Sequence, residues 1–294
     1  MVTPTYRMIA IDLDGTLLSP EGKVTQRTRD AIHKCLSAGM LVCFATGRNW
    51  TESRTVLEMV GHHHHAVFAG GAMVIDTAQE VTLHRTGVDP DLAREVCRVL
   101  EENGHAVLAL QDTGAAGVDY LVSDEIDLNA ETVHWMSVTA AMVHHVPHLS
   151  RYTHEHTIRL GMVAAPDEVG KVHQQLLEKF GERIFLHRLF VPTAEVEVLE
   201  IFDPAVNKWE GILHVARRHE IEAEQIIAIG DDVNDLPMLT KAGLGVAMGN
   251  ARDEIKAAAK KVIGHNRDDG LAAFLEELVA AHAVEPIKDD EAAA

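Results

Sequence analysis

Met8-Ile9-Ala10-Ile11-Asp12-Leu13-Asp14-Gly15-Thr16 is the stretch around which the chain is organised. Four apolar residues without polar alternation read as a buried parallel strand. The run ends in two carboxylates one residue apart, then Gly-Thr. In an open α/β sheet the ligand crevice lies past the carboxyl ends of the strands, which puts Asp12 and Asp14 at its floor. Uncompensated carboxylates there are costly unless they hold a cation or do chemistry. Gly15 lets the chain turn sharply after them. Taken alone, Asp-x-Asp-Gly is equally a strand-end turn.

The flanking sequence extends the pattern. Thr25 is a candidate N-cap for a helix carrying Ala31, Ile32, Cys35 and Leu36 up to Gly39, and 40–45 is a second apolar run ending in Thr46-Gly47-Arg48. This is a βαβ unit whose strands end at one edge, so Thr46 is expected beside Asp12. A helix from about Asn49 to Val60 and a short strand over 66–69, ending in Gly70-Gly71, follow. From about Leu83 the texture changes. Asp89-Pro90 and Pro166-Asp167 open amphipathic helices, and strands are expected over 105–110, 120–122, 157–164 and 184–190. These form a separate α+β domain inserted into the first. Residues 195–202 alternate Glu with apolar residues and predict a strand with one wet face. Lys208 then precedes a helix, Ile226-Ile227-Ala228-Ile229-Gly230 is a buried strand ending in Asp231-Asp232-Val233-Asn234-Asp235, and 244–248 and 271–281 give a last strand and a closing helix.

Composition narrows the function classes. With Lys+Arg 26 against Asp+Glu 45 the net charge is −19, which disfavours nucleic acid or an anionic membrane as partner. No stretch reaches the ~18 apolar residues of a membrane span, and the N-terminus does not read as a signal peptide. Three cysteines (Cys35, Cys43, Cys97) with no close pair suit a reducing, cytoplasmic setting. His62–His65 reads as a solvated loop. His134, His144, His145, His148, His154 and His156 are irregularly spaced and lack cysteine partners, which argues against zinc; if they have a role, lining the inserted domain's substrate face is the one expected.

Asp12/Asp14, Thr46, Lys208 and the 231–235 cluster each fall at a strand's carboxyl end or a helix start. Singly, Thr46 and Asn234 read as helix caps and Lys208 as a surface lysine. Together, Asp-Leu-Asp-Gly-Thr, Ala-Thr-Gly-Arg, Lys208 and Gly230-Asp231-Asp232-Val233-Asn234-Asp235 resemble the haloacid dehalogenase superfamily. Gly245-Val246-Ala247-Met248-Gly249-Asn250-Ala251 and Asn266-Arg267-Asp268-Asp269-Gly270-Leu271 narrow the resemblance to Cof-type, subfamily IIB phosphatases. The interval from Asp12 to Thr46 leaves no room for an inserted domain, whereas that from Thr46 to Lys208 holds a whole one.

The resemblance implies an α/β fold with a Rossmann-like three-layer core and parallel sheet, plus an inserted α+β (type C2B) cap. The domains expected are core 1–83, cap 84–194, core 195–282 and a flexible tail 283–294. The implied activity is Mg²⁺-dependent phosphomonoester hydrolysis of small phosphorylated metabolites. Asp12 would be the nucleophile, ionised at neutral pH because a free aspartate titrates near ~3.9. Asp14 would be general acid and then base. Asp12, the Asp14 backbone carbonyl and Asp231 would ligate Mg²⁺, with Asp235 in or near the next layer. Thr46, by hydroxyl and backbone N–H, and Lys208 would engage the phosphoryl group, and Gly47, Arg48 and Asn234 the substrate. Two rivals share these residues: a phosphomannomutase-like phosphotransferase, and a non-enzymatic phosphometabolite sensor. A monomer or homodimer is expected. Gly70-Gly71 in place of the commoner Asn-Gly, and Trp209 where Gly is common after the lysine, depart from the pattern.

Overall fold

A computed structural model describes residues 6–191 and 194–281. They form two compact units, one built from residues up to Phe44 and from Glu220 onward, the other from Ala45–His219.

The first unit opens with β1 (Met8–Ile11), α1 (Gln26–Ser37) and β2 (Leu41–Phe44). β1 is wholly buried, as its unbroken apolar sequence requires. Thr25 caps α1, its Oγ1 accepting from the Thr28 amide at 3.1 Å.

The second unit follows with α2 (Trp50–Val60), β3 (His65–Phe68), β4 (Met73–Asp76), β5 (Val81–Arg85), α3 (Pro90–Glu102), β6 (Leu108–Gln111), α4 (Thr113–Ala116), β7 (Tyr120–Ser123), α5 (Ala130–Val138), β8 (Val143–Val146), β9 (Thr157–Ala164), α6 (Pro166–Phe180), β10 (Phe185–Val191), β11 (Val196–Phe202) and α7 (Lys208–Arg218). The chain then returns to the first unit through β12 (Ile226–Gly230), α8 (Leu236–Lys241), β13 (Leu244–Ala247), α9 (Asp253–Ala258), β14 (Lys261–Val262) and α10 (Gly270–Ala281).

The first unit's sheet runs β14-β13-β12-β1-β2, and every neighbouring pair is parallel. The two strands that end in aspartate are therefore adjacent and in register, Ile11 opposite Ile229. α1 packs on α10, and Arg27 reaches Glu276 at 2.7 Å.

The second unit holds two sheets. β3-β4-β5 is antiparallel, and α7 packs on β3 and β4. The larger sheet runs β10-β11-β9-β6-β7-β8. α3 and α6 bury Leu92, Val96, Leu100, Val172 and Leu176 with strand residues Ala109, Leu160, Met162 and Leu199. Asp89 caps α3 through the Leu92 amide at 2.9 Å, with Pro90 in the first turn.

The structure corrects the sequence reading in several places. The strand expected to begin the second core segment at 195 is β11, which lies between β10 and β9. Its glutamates are not on a wet face: Glu197 pairs with Arg188, and Glu200 with Arg159 and His187. Residues 45–83 and 203–219 fall in the second unit, together with the strands between them. The β4–β5 hairpin, α5 and β8 were not legible as elements. His62 is 5% exposed rather than solvated, its Nε2 3.3 Å from the His65 carbonyl oxygen. The expected flexible tail from 283 lies outside the described residues. Among the described residues, no helix is long and apolar enough to cross a membrane.

Candidate active site

The carboxyl ends of β1 and β12 carry the acidic centre. Asp12 follows β1 and continues its ladder, its amide donating to the Ile229 carbonyl at 3.0 Å. Its side chain is buried. The amides of Leu17 and Leu18 fold back onto the carbonyls of Asp12 and Leu13 at 3.2 and 2.9 Å. Gly15 makes this tight loop possible with φ +81, and a Cβ there would lie 2.2 Å from Asp231 Oδ2.

Asp231, just past β12, is held from two sides. Thr16 Oγ1 donates to its Oδ1 at 2.9 Å. Asn250 Nδ2 donates to the Gly15 carbonyl at 2.8 Å and to Asp231 Oδ2 at 3.4 Å. Asp235 is fully buried, and its Oδ2 accepts from the amides of Asp231 at 2.8 Å and Asp232 at 3.1 Å. Asp235 thus shapes the loop that presents Asp231.

Asp12, Asp231 and Asp235 each offer a carboxylate oxygen within 4.8 Å of the others. Three like charges this close repel strongly where water is scarce, and a cation is the usual remedy. An all-oxygen set of a few carboxylates fits a hard divalent ion that keeps some of its waters. Asp14, the fourth expected ligand residue, is exposed and its side chain is outside the trio. Asn234 is half-buried in the 233–235 turn. Asp232, not Asn234, caps that turn, its Oδ1 accepting from the Val233 amide at 2.8 Å.

The remaining expected residues lie together in the second unit. Thr46 is 1% exposed. Its amide donates to the Val67 carbonyl at 2.9 Å, so the amide expected to face a phosphoryl group is already committed. Its hydroxyl accepts from the Arg48 amide at 3.1 Å and keeps its proton to donate. The Gly70 amide donates to the Thr46 carbonyl at 2.9 Å. Next to it, Gly71 has φ +109, and a Cβ there would stand 2.0 Å from the Asn207 carbonyl oxygen and 2.9 Å from the Lys208 nitrogen. Two backbone approaches therefore connect the Thr46 loop to the start of α7. Asn207 caps that helix through the Glu210 amide at 3.1 Å. Lys208, its first residue, is 1% exposed. Burial and the positive end of the helix dipole both work against an ammonium group at this position.

The sequence profile of the haloacid dehalogenase-like hydrolases matches residues 9–275. The chain belongs to this family. It is similar to 5-amino-6-(5-phospho-D-ribitylamino)uracil phosphatase YitU of Bacillus subtilis (strain 168), 30% identical over 281 residues, covering 94% of this chain and 98% of YitU. HMP-PP phosphatase of Serratia proteamaculans (strain 568) is 27% identical over 273 residues, covering 92% and 94%. Among solved structures, TM0651 from Thermotoga maritima gives a TM-score of 0.78 at 25% identity, covering 93% and 97%. The subclass IIB sugar phosphatase BT4131 gives 0.75 at 19% identity over 92% and 98%, which shows a shared fold. This haloacid dehalogenase-like hydrolase thus resembles phosphatases along nearly its whole length.

Sequence reasoning assigned no role to Thr16 or Asn250, although both lie inside motifs that carry the family resemblance. Their contacts to Asp231 cross between strands: the pairing of β1 with β12 brings Thr16 there, and that of β12 with β13 brings Asn250. Among the described residues no group of histidines or cysteines meets the geometry of a metal site. Of the histidines of the inserted domain, His154 is buried, bonded to the Leu149 carbonyl at 2.7 Å and to Thr157 at 2.9 Å. His148 pairs with Glu125 at 2.8 Å. Cys35, Cys43 and Cys97 are buried free thiols, and burial pushes Cys43 up to about 12.

Proposed function

We propose that this hydrolase is a cytoplasmic, Mg²⁺-dependent phosphomonoesterase of small phosphorylated metabolites, working through an aspartyl-phosphate on Asp12. The observation that carries the reading is the convergence of Asp12, Asp231 and Asp235 within 4.8 Å at two adjacent strand ends. The buried thiols suit a reducing compartment.

Phosphoryl transfer asks mainly for positioning and charge stabilisation. A carboxylate oxygen of Asp12 forms the new bond to phosphorus as the ester P–O bond breaks. Asp14, on the exposed side of the loop, delivers its proton to the departing alkoxide. Water then attacks the phosphorus, Asp14 takes a proton from it, and the bond to Asp12 breaks, releasing phosphate and restoring both aspartates. Asp12, the Asp14 backbone carbonyl and Asp231 would hold Mg²⁺, with Asp235 orienting Asp231. The ion supplies positive charge to the phosphoryl oxygens. The Thr46 hydroxyl donates to a phosphoryl oxygen, Lys208 offsets the negative charge of phosphate and nucleophile, and Gly47, Arg48 and Asn234 serve the substrate.

Phosphate release from a panel of esters tests the reading. The panel includes sugar phosphates, nucleotides, pyridoxal phosphate and the substrates named for the two curated relatives. Turnover with Mg²⁺ that is abolished by EDTA and by Asp12→Asn is the expected result. Turnover that survives both would overturn it.

A further inference from the structure

Arg159 lies on β9, and its side chain is 12% exposed. Its guanidinium forms an ion pair with Glu200 on β11. Nη2 donates to the Tyr120 hydroxyl at 2.9 Å, and Nη1 to the Gly47 carbonyl at 3.4 Å. The remaining surroundings are fixed: the Phe202 ring lies under the guanidinium at 5.8 Å, and the His187 Nδ1–H donates to the second Glu200 oxygen at 2.9 Å.

The segment that Arg159 touches is the one carrying the expected phosphoryl and substrate contacts. Gly47 lies between Thr46 and Arg48. One residue further on, Asn49 Nδ2 donates to the same Tyr120 hydroxyl at 3.4 Å, while Asn49 Oδ1 caps α2 through the Glu52 amide at 2.8 Å. Thr51 is tied to the fully buried Asp119 at 2.7 Å. The six-stranded sheet therefore grips the chain on both sides of Arg48, at Gly47 through Arg159 and at Asn49 through Tyr120.

Stability alone does not call for this arrangement, since an apolar pair generally replaces a buried ion pair without loss. A planar fork, however, can engage a carboxylate, a phenol and a carbonyl on three separate elements at once, which lysine cannot do. We infer that Arg159 is a positioning residue for the phosphoryl-transfer reaction: braced by Glu200 and Tyr120, it fixes the Gly47 carbonyl and so sets the Thr46 hydroxyl and the Arg48 side chain. The inference rests on the phosphomonoesterase reading above.

The test compares kcat, KM and Tm of wild type, Arg159→Lys, Tyr120→Phe and Arg188→Lys on one phosphate ester. Arg188 makes a more exposed cross-strand pair with Glu197 on the same sheet, and its other hydrogen bond goes to the Pro166 carbonyl. Misplacing a reacting geometry by an ångström costs on the order of 100-fold in rate. Arg159→Lys is expected to lose about 10- to 100-fold in kcat, with a much smaller change in KM. Tyr120→Phe should lose less, and Arg188→Lys nothing. Wild-type kcat and KM in folded Arg159→Lys would overturn the proposal. Should that variant not fold, unchanged kinetics in Tyr120→Phe would overturn it equally. A wild-type protein that releases no phosphate from any ester would sink the functional reading by itself. The affinity for inorganic phosphate, measured calorimetrically in the same variants, then decides the positioning claim: a roughly 10-fold weakening in Arg159→Lys supports it, and equal affinity refutes it.

Discussion

A methyl group on Gly15 would stand 2.2 Å from Oδ2 of Asp231, so the turn after β1 and the carboxylate after β12 are shaped to each other. Gly15→Ala would add a left-handed backbone strain of about 1–3 kcal/mol and force Asp231 off its Thr16 and Asn250 donors. A fall in kcat/KM of at least ~100-fold is expected, together with a lower urea midpoint. Phosphate-release kinetics beside an unfolding curve check both parts. A near-wild-type rate would mean that Asp231 need not sit where it does.

Asp235 holds the Asp231 loop from behind, accepting from the amides of Asp231 and Asp232, and on the proposed reading it tunes Mg²⁺ binding. Asp235→Asn keeps an acceptor for those amides but removes a charge from the trio. Supporting residues of this kind typically cost 10- to 100-fold in metal affinity. The Mg²⁺ concentration for half-maximal activity should rise by about that factor, with most of the rate recovered at saturating metal. An unchanged activation curve would place Asp235 outside the metal's reach.

The approach of Gly71 to Asn207 offers an independent handle on Lys208. Gly71→Ala meets both a φ of +109 and a carbonyl oxygen at 2.0 Å. It must push the start of α7 away from the 69–71 turn. Loss of activity together with a destabilisation of roughly 2–4 kcal/mol is expected. Thermal unfolding and kinetics of the purified variant are the measurements, and a variant matching wild type in both would contradict the account.

Burial, reinforced by the neighbouring His64, pulls the His62 imidazole down from 6.5 to about 4. The unfolded chain takes up this proton near 6.5 and the folded chain only near 4. Between those values the unfolded state binds more protons, so stability falls with falling pH across that window, by about 3 kcal/mol for this group. His65, His154, His173 and His214 are shifted downward too and act in the same direction. Urea midpoints between about pH 7.5 and pH 4.5 should therefore drop, and less steeply in His62→Gln. Equal slopes would show that His62 is solvated after all.

These results also mark where the sequence was readable. β1 and β12 announced themselves because each is an unbroken apolar run ended by aspartate, and the parallel pairing of two such strands brings Asp12 to Asp231 without further information. The commitment of the Thr46 amide to Val67, 21 positions downstream, depends on a strand pairing that no local signal announces. The β4–β5 hairpin was missed because its turn places Glu80, at φ +55, where glycine or asparagine would have signalled it. α5 lacks a clear apolar face, with Val133 and Val138 exposed and only Thr132 buried. β11 was misassigned for a different reason. Alternating glutamates imply a wet face until the cation that pairs with Glu200 is known, and Arg159 is supplied by another strand.

The most direct test of the central claim is to quench the enzyme during turnover and reduce any acyl phosphate with borohydride. Peptide mass spectrometry then locates the modified residue. The account predicts homoserine at position 12, formed only with Mg²⁺ and substrate present and absent in Asp12→Asn. Rapid phosphate release with position 12 unmodified, or modification at Asp14 or Asp231 instead, would contradict it.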